Sequence, residues 1–322
     1  MSITRVPDIT VIIATRNRAG DLRQTLETLA GQETNGAFTY DILIVDNGST
    51  DETRQAVETL QPAFPVPLHY LYEGRAGKSW ALNAGMRVAR GAIFAFTDDD
   101  VLLAASWLWA LRSCFLEEEA DAVTGKVLPR WTSGCPAWLT DEAFHQIGGM
   151  GCIDWGQTRC SSTRHDCSWV GGNMAIRRQA AQRIGGCDVR MVRGQDTEWY
   201  LRAVREGLTV FYEPAAVGYH KIPAERLTPA YFRLWRHRAG YYNVYLLPWH
   251  TIHLLTIMPL WRYQRTWHLL GIWLKRTLRG SPWWERFHFE LLLREDLTIW
   301  RRRIQLWPRW WLTVLTRRSY MP

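Results

Sequence analysis

Residues 98–100 are three consecutive aspartates, and they close a short apolar run, Ala92-Ile93-Phe94-Ala95-Phe96-Thr97. A buried strand that stops and at once presents three carboxylates gathers negative charge where water and ligand can reach it. Adjacent carboxylates repel one another, and a divalent cation relieves that repulsion. Hard oxygen ligands suit Mg²⁺ or Mn²⁺, metals that commonly accompany a phosphate-bearing substrate. The plain alternative is an acidic first turn of a helix. Lys78 follows Gly77 and opens a predicted helix, where an ammonium beside a helix N-terminus suits a phosphate or nucleobase; otherwise it is a solvated surface lysine. Asp196 opens another predicted helix, over 197–206, a position where aspartate commonly serves as an N-cap. Asn173 follows two glycines, which either permit close backbone approach to a ligand or make a simple turn.

The elements that must position these groups alternate. Apolar, β-branched runs predict strands over 9–14, 40–45, 68–72 and 93–96. Helical spacing marks 21–29, through Leu22, Leu26 and Leu29, then 53–60 and 78–90. Strand and helix in turn, with short connections, predict an α/β fold with a parallel sheet. Three polar clusters follow strand ends: Thr15-Arg16-Asn17, Asp46-Asn47-Gly48 and Asp98 to Asp100. Ligands of open α/β sheets bind outside the carboxyl ends of the strands, so the three clusters predict one shared crevice.

Taken in order, Thr15-Arg16-Asn17-Arg18, Val45 to Asp51, Gly77 to Gly85, Asp98 to Asp100, Gly171 to Arg177 and Gly194 to Glu198 resemble the family 2 glycosyltransferases. The resemblance covers roughly residues 8–240. It implies a GT-A fold, a Rossmann-like nucleotide-diphospho-sugar transferase domain. It also implies a nucleotide-sugar donor, a divalent metal (Mg²⁺ or Mn²⁺) and inversion at the anomeric carbon. By match to the family pattern, Asp46 contacts the nucleoside and Thr15 and Asn17 line the same pocket; Lys78 and Asn173, on the reading of their local sequence given above, are expected as further donor contacts. Asp98 and Asp100 are the outer members of the D-x-D motif that holds donor and metal, Asp100 on the diphosphate side. His220 stands where members of the fold often carry an extra metal ligand. Asp196 matches the catalytic base. The family usually has an acid just before it, and here Gln195 departs from that pattern. The Gln-x-x-Arg-Trp motif of processive synthases has no counterpart in 232–240, which predicts addition of one sugar rather than polymerisation. Two other readings remain open at this level: a non-catalytic nucleotide-sugar-binding scaffold at a membrane, and a nucleotidyltransferase of similar topology.

The chain of 322 residues carries a net charge of +8, unevenly distributed. Residues 233–322 hold 16 Lys and Arg against 4 Asp and Glu, while residues 1–232 hold 23 against 27. The same tail holds 11 of the 19 tryptophans. This predicts a catalytic domain over 1–230 and a basic, Trp-rich, mainly helical amphipathic segment over 231–322. Arginine with tryptophan and few acids suits an anionic membrane surface. Arg233, Arg236 and Arg238 suit either a diphosphate or that surface. No run of about 20 apolar residues is present to span a bilayer. Phe289, Leu293, Leu297, Trp300, Ile304 and Trp307 share one helical stripe, flanked by Arg301 and Arg303, whose stems are expected to snorkel toward headgroups; Trp283-Trp284 and Trp310-Trp311 would anchor its ends. The resulting expectation is a peripheral or monotopic protein on the cytoplasmic face of a bacterial inner membrane, acting on a lipid-linked or glycan acceptor in envelope or exopolysaccharide synthesis. No nucleic-acid motif accompanies the positive charge, so no nucleic-acid partner is expected. The N-terminus lacks a signal-peptide pattern, and six cysteines without tight spacing predict reduced thiols. Cys152, Cys160, Cys167 and His165 are a weak zinc candidate, lacking the C-x2-C knuckle.

Overall fold

The computed structural model describes residues 6–147, 150–161, 169–246 and 260–316. The chain packs into two compact units, Met1–Arg130 with Gly151–Ile222, and Trp131–Met150 with Pro223–Pro322. Residues 131–150, expected in the first domain, therefore pack with the C-terminal part.

The first unit is built on one mixed sheet. Its strands are β1 (Ile9–Thr15), β2 (Tyr40–Asp46), β3 (Leu68–Tyr72), β4 (Ile93–Asp98), β5 (Val101–Leu103), β6 (Ala122–Trp131), β7 (Cys160–Ser161), β8 (Asn173–Arg177) and β9 (Val210–Ile222). They lie in the order β3-β2-β1-β4-β8-β6-β9-β5, and β7 pairs with β9. The four predicted strands are the parallel part, with β1 between β2 and β4. β8 then runs antiparallel to both β4 and β6.

Helices cover both faces, which is why the parallel strands read as continuous apolar runs rather than alternating ones. Val11, Ile13, Ile42 and Ile44 pack toward α1 (Ala19–Ala30) and α4 (Trp107–Glu117). Ile12, Leu43, Val45, Phe94 and Phe96 pack toward α3 (Lys78–Val88), α6 (Arg178–Ile184) and α7 (Gln195–Arg205). The small α2 (Thr53–Leu60) joins β2 to β3. α3 lies close on the sheet because Gly85 leaves room: a Cβ there would sit 2.7 Å from Ile12 Cγ2.

The second unit holds α5 (Asp141–Ile147), α8 (Pro229–Asn243), α9 (Leu260–Leu278) and α10 (Trp283–Thr316). One face of α10 packs on α8, where Phe287, Leu291, Ile299 and Leu306 are buried. Gly240 lets the helices approach, since a Cβ there would lie 2.6 Å from the Glu295 carbonyl oxygen. Another face meets α9, through Tyr263 against Trp300 (4.6 Å between ring centroids) and Arg276 over Phe289.

The predicted stripe is thus split. Phe289 and Trp300 pack on α9, whereas Leu297 and Ile304 are about half exposed, at 47% and 53%. Arg303 corrects an expectation: it is fully buried, not reaching toward headgroups, and burial first, then Arg262, lowers its pKa to about 10. Arg233 and Arg236 pair with Glu290 and Glu295 of α10, so they serve the helical packing of this unit. The side chains of Trp307, Trp310 and Trp311, and Cys167 with His165 of the zinc candidate, lie outside the described part.

Candidate active site

Parallel pairing places the ends of β1 and β4 side by side, with Ala14 opposite Asp98. That pairing sets Thr15 beside the aspartate triplet, where its hydroxyl donates to Asp99 Oδ2 at 2.7 Å. Thr15 is 2% exposed, so its hydroxyl holds Asp99 and is not offered to solvent. Thr25 donates to the Asp99 carbonyl and fixes the same turn from α1.

Each of the three carboxylates faces a cation, and Asp99 and Asp100 share one. Asp98 forms an ion pair with Lys78 at the start of α3. Asp99 lies 3.5 Å from Arg18 Nη1, and Asp100 Oδ2 lies 2.5 Å from the same atom. His220 on β9 brings its Nε2 to 3.4 Å from Asp100 Oδ2, because β9 pairs with β5 and sets His220 opposite Val101. Burial and the neighbouring Asp100 push Asp99 up to about 7, against the pull of Arg18 and Thr15. Burial would raise Asp100 as well, but His220 and Arg18 together hold it below the usual carboxylate range. Burial would lower the Lys78 pKa, and Asp98 outweighs that and raises it.

Asp196 reaches the same place from α7. Its Oδ2 accepts from the Gly171 backbone N–H at 3.0 Å, and its Oδ1 accepts from the Thr197 N–H at 2.9 Å. A Cβ on Gly171 would stand 3.4 Å from Asp196 Oδ2 and 3.7 Å from Lys78 Nζ, and one on Gly172 would stand 3.5 Å from Asp98 Oδ2. The two glycines therefore leave a bare stretch of backbone flanked by Lys78, Asp98 and Asp196. The loop leading into α7 is held by α3: Asn83 exchanges two hydrogen bonds with the Cys187 backbone, and Ser79 donates to the Met191 carbonyl. One helix thus carries Lys78 and steadies the approach to Asp196.

The loops after β1 and β2 are organised by Asp46, Asn47 and Asn17. Asp46 is 1% exposed; it accepts from the Ser49 N–H and the Tyr70 hydroxyl, so in this structure it shapes the loop after β2. Asn47 donates to the Glu73 and Arg75 carbonyls and accepts from Gly77 N–H, tying the β2 loop to the start of α3. Asn17 sits at φ +53°, where asparagine is tolerated, and its Oδ1 accepts from Thr50 N–H. Asn173 departs from expectation. It is fully buried, its Oδ1 accepts from Trp107 Nε1 at 2.8 Å, and its Nδ2 donates to the Lys126 and Ala216 carbonyls. With both amide hydrogens and the amide oxygen engaged inside the protein, its side chain pins β8 and is not turned to a ligand.

The motifs alone did not single out Arg18, Asn47, Ser79 or Asn83. All four lie inside the quoted motifs, but their partners are 26 to 112 residues away. A divalent metal fits the donor set, as Asp100 and His220 converge, both nearly buried, beside an excess of carboxylate. Among the described residues no three His, Cys, Asp or Glu side chains are grouped to hold a metal by themselves. The remaining ligands would come from solvent or a phosphate-bearing ligand.

The description "Glycosyl transferase family 2" matches residues 10–185, which leaves Asp196 and His220 outside the matched span. The chain is 26% identical over 229 residues to the succinoglycan biosynthesis protein ExoM of Rhizobium meliloti, covering 69% of this chain and 70% of that protein. It is 25% identical over 257 residues to glycosyltransferase AglE of Haloferax volcanii, covering 80% of each. Among solved structures, the mannosyltransferase PcManGT of Pyrobaculum calidifontis, in complex with GDP-Man and Mn²⁺, aligns with a TM-score of 0.55 at 19% identity, over 99% of this chain and 78% of that one. GalNAc-T7 with UDP, GalNAc and Mn²⁺ aligns with a TM-score of 0.54 at 14% identity, over 76% and 52%. At these identities the structural likeness speaks for the fold alone, which is GT-A.

Proposed function

The chain belongs to glycosyl transferase family 2, and from that premise we propose that it is an inverting, metal-dependent glycosyltransferase. It moves one sugar from a nucleotide-sugar donor to a lipid-linked or other membrane-proximal glycan acceptor, in envelope glycan or exopolysaccharide synthesis. The observation that carries the reading is the gathering of Asp196, Lys78 and Asp98 around the open backbone of Gly171-Gly172, next to Asp100 and His220.

In this reading Asp196 is the general base. Its two backbone hydrogen bonds aim the carboxylate and leave lone pairs free for an acceptor hydroxyl. As that proton passes to Asp196, the hydroxyl oxygen bonds to the anomeric carbon from the face opposite the diphosphate. The bond from that carbon to the diphosphate oxygen breaks, and the nucleoside diphosphate leaves with the electron pair. The Lys78 ammonium lies where negative charge would grow on the leaving group. A divalent ion held by Asp100 and His220, with Asp98 facing the donor, would supply further positive charge to the diphosphate. Gln195 is buried and uncharged, which leaves Asp196 as the carboxylate of its motif.

The outward side of α9 supports a peripheral station on the cytoplasmic membrane face. Trp267 (69% exposed), Leu274 (46%) and Leu278 (87%) share that side, with Lys275 and Arg279 beside them. No described helix is long and apolar enough to cross a membrane.

The test is a pair of measurements on wild type and Asp196→Asn. Nucleoside diphosphates with and without Mn²⁺ should raise the melting temperature of both proteins, with a preference for one base. Sugar transfer should be lost in the variant alone. Wild-type-like transfer by Asp196→Asn would remove that residue from the mechanism. Turnover of nucleoside triphosphates instead would make the protein a nucleotidyltransferase, and binding without turnover by wild type would make it a scaffold.

A further inference from the structure

Arg18 has no role in the reading above, yet it stands at the centre of the charge. Its side chain is 31% exposed, and its Nη1 lies 2.5 Å from Asp100, 3.5 Å from Asp99 and 3.8 Å from Asp21. The oxygen of Asp100 that it addresses, Oδ2, is the same one that faces His220 Nε2. A guanidinium and a divalent ion seeking Asp100 and His220 would meet the same lone pairs. The position is set by the fold: Arg18 caps α1 directly after the left-handed Asn17, while its backbone N–H donates to Thr53 Oγ1.

We propose that Arg18 is the resident counter-cation of the metal site. It occupies Asp100 when no metal is present, sets metal affinity by competition, and turns away when the ion binds. Asp21, one turn along α1, is the carboxylate that retains it, and from there the guanidinium can face a donor diphosphate. Arg18 is a positioning residue in this account, since it acts through Asp100. The proposal rests on the metal-dependent reading, and it adds that metal and donor enter a site whose carboxylate excess is already partly offset by a cation of the protein itself. A prebound cation also explains how two nearly buried neighbouring carboxylates, Asp99 and Asp100, are held together before any ligand arrives.

The test uses Mn²⁺ alone, followed by electron paramagnetic resonance of the free ion, with the full-length chain. An arginine at this range shifts a carboxylate's affinity for a proton by about 1–3 log units, and a divalent cation meets the same repulsion, so Arg18→Gln should bind Mn²⁺ about tenfold more tightly or better than wild type. Arg18→Lys, a weaker and more mobile competitor, should fall between. A merely structural arginine predicts the opposite, since its loss would loosen the site and weaken Mn²⁺ binding. Unchanged or weaker Mn²⁺ binding by a folded Arg18→Gln overturns the proposal. Asp100→Asn separates the two levels. If it abolishes Mn²⁺ binding while Arg18→Gln leaves affinity unchanged, the metal reading stands and the competition is wrong. If wild type, Arg18→Gln and Asp100→Asn all fail to bind Mn²⁺, with or without a nucleoside diphosphate, both fall.

Discussion

Asn173 separates a donor contact from a structural pin. Truncation to alanine removes three hydrogen bonds at a residue with no solvent exposure. Each contributes about 1 kcal/mol net, and the Trp107 indole N–H, itself fully buried, is left without its acceptor, adding about 1–2 kcal/mol. The expected destabilisation is about 4–5 kcal/mol. For a protein of this size that corresponds to a fall in melting temperature of about 8–20 °C, at about 2–4 °C per kcal/mol. Urea denaturation followed by circular dichroism measures it directly. A second variant, Asn173→Ala with Trp107→Phe, removes the orphaned donor, so its effect should fall short of the sum of the two single changes by about 1 kcal/mol. A loss below about 1 kcal/mol, together with weakened nucleotide-sugar binding, would refute the pin and return Asn173 to the donor pocket.

Gly240→Ala should destabilise the helical unit by about 1–3 kcal/mol, because its Cβ meets the Glu295 backbone. Gly271→Ala on α9, where a Cβ meets nothing within 4 Å, should instead gain up to about 1 kcal/mol of helix propensity; urea melts of both variants compare them. Arg75 holds the Glu73 carboxyl at about 2. A folded pKa below the usual 4.5 means the stabilisation is complete above that value and fades as pH falls toward 2. The melting-temperature gap between wild type and Glu73→Gln should therefore close over that window, and a gap constant with pH would contradict the pairing. Sedimentation with vesicles rich in anionic lipid should pull down the wild-type protein, less so at high salt, and should fail for Trp267→Ser with Leu274→Ser and Leu278→Ser. Equal sedimentation of that triple variant would clear α9 of the role.

The parallel strands were legible because each is an apolar run with a polar end. Burial on both faces makes such runs conspicuous. Thr15, Asp46, Asp98 and Lys78 lie at those ends or just beyond. What sequence spacing does not encode is which side chain turns inward. Asn173 reads as a ligand-side amide after two glycines, yet the antiparallel pairing of β8 turns it into the sheet. Arg303 reads as one edge of an amphipathic stripe. A helix with neighbours on two sides buries more than one stripe, and α10, packed on both α8 and α9, does so. Arg18 sits in a quoted motif, but its long-range partners Asp99 and Asp100 come from the turn after β4, so its role depended on tertiary placement.

The 131–150 excursion has a practical consequence for anyone dissecting this chain. Trp138 lies edge-on to Phe232, Trp283 and Phe287, and α5 packs against α10. A fragment ending near residue 230 would keep the tryptophan and delete all three of its aromatic neighbours. Such a product should be sticky and poorly soluble even with its sheet intact. A minimal soluble version calls for two cuts: removal of the C-terminal helices, and replacement of the excursion by a short linker from Arg130 to Gly151.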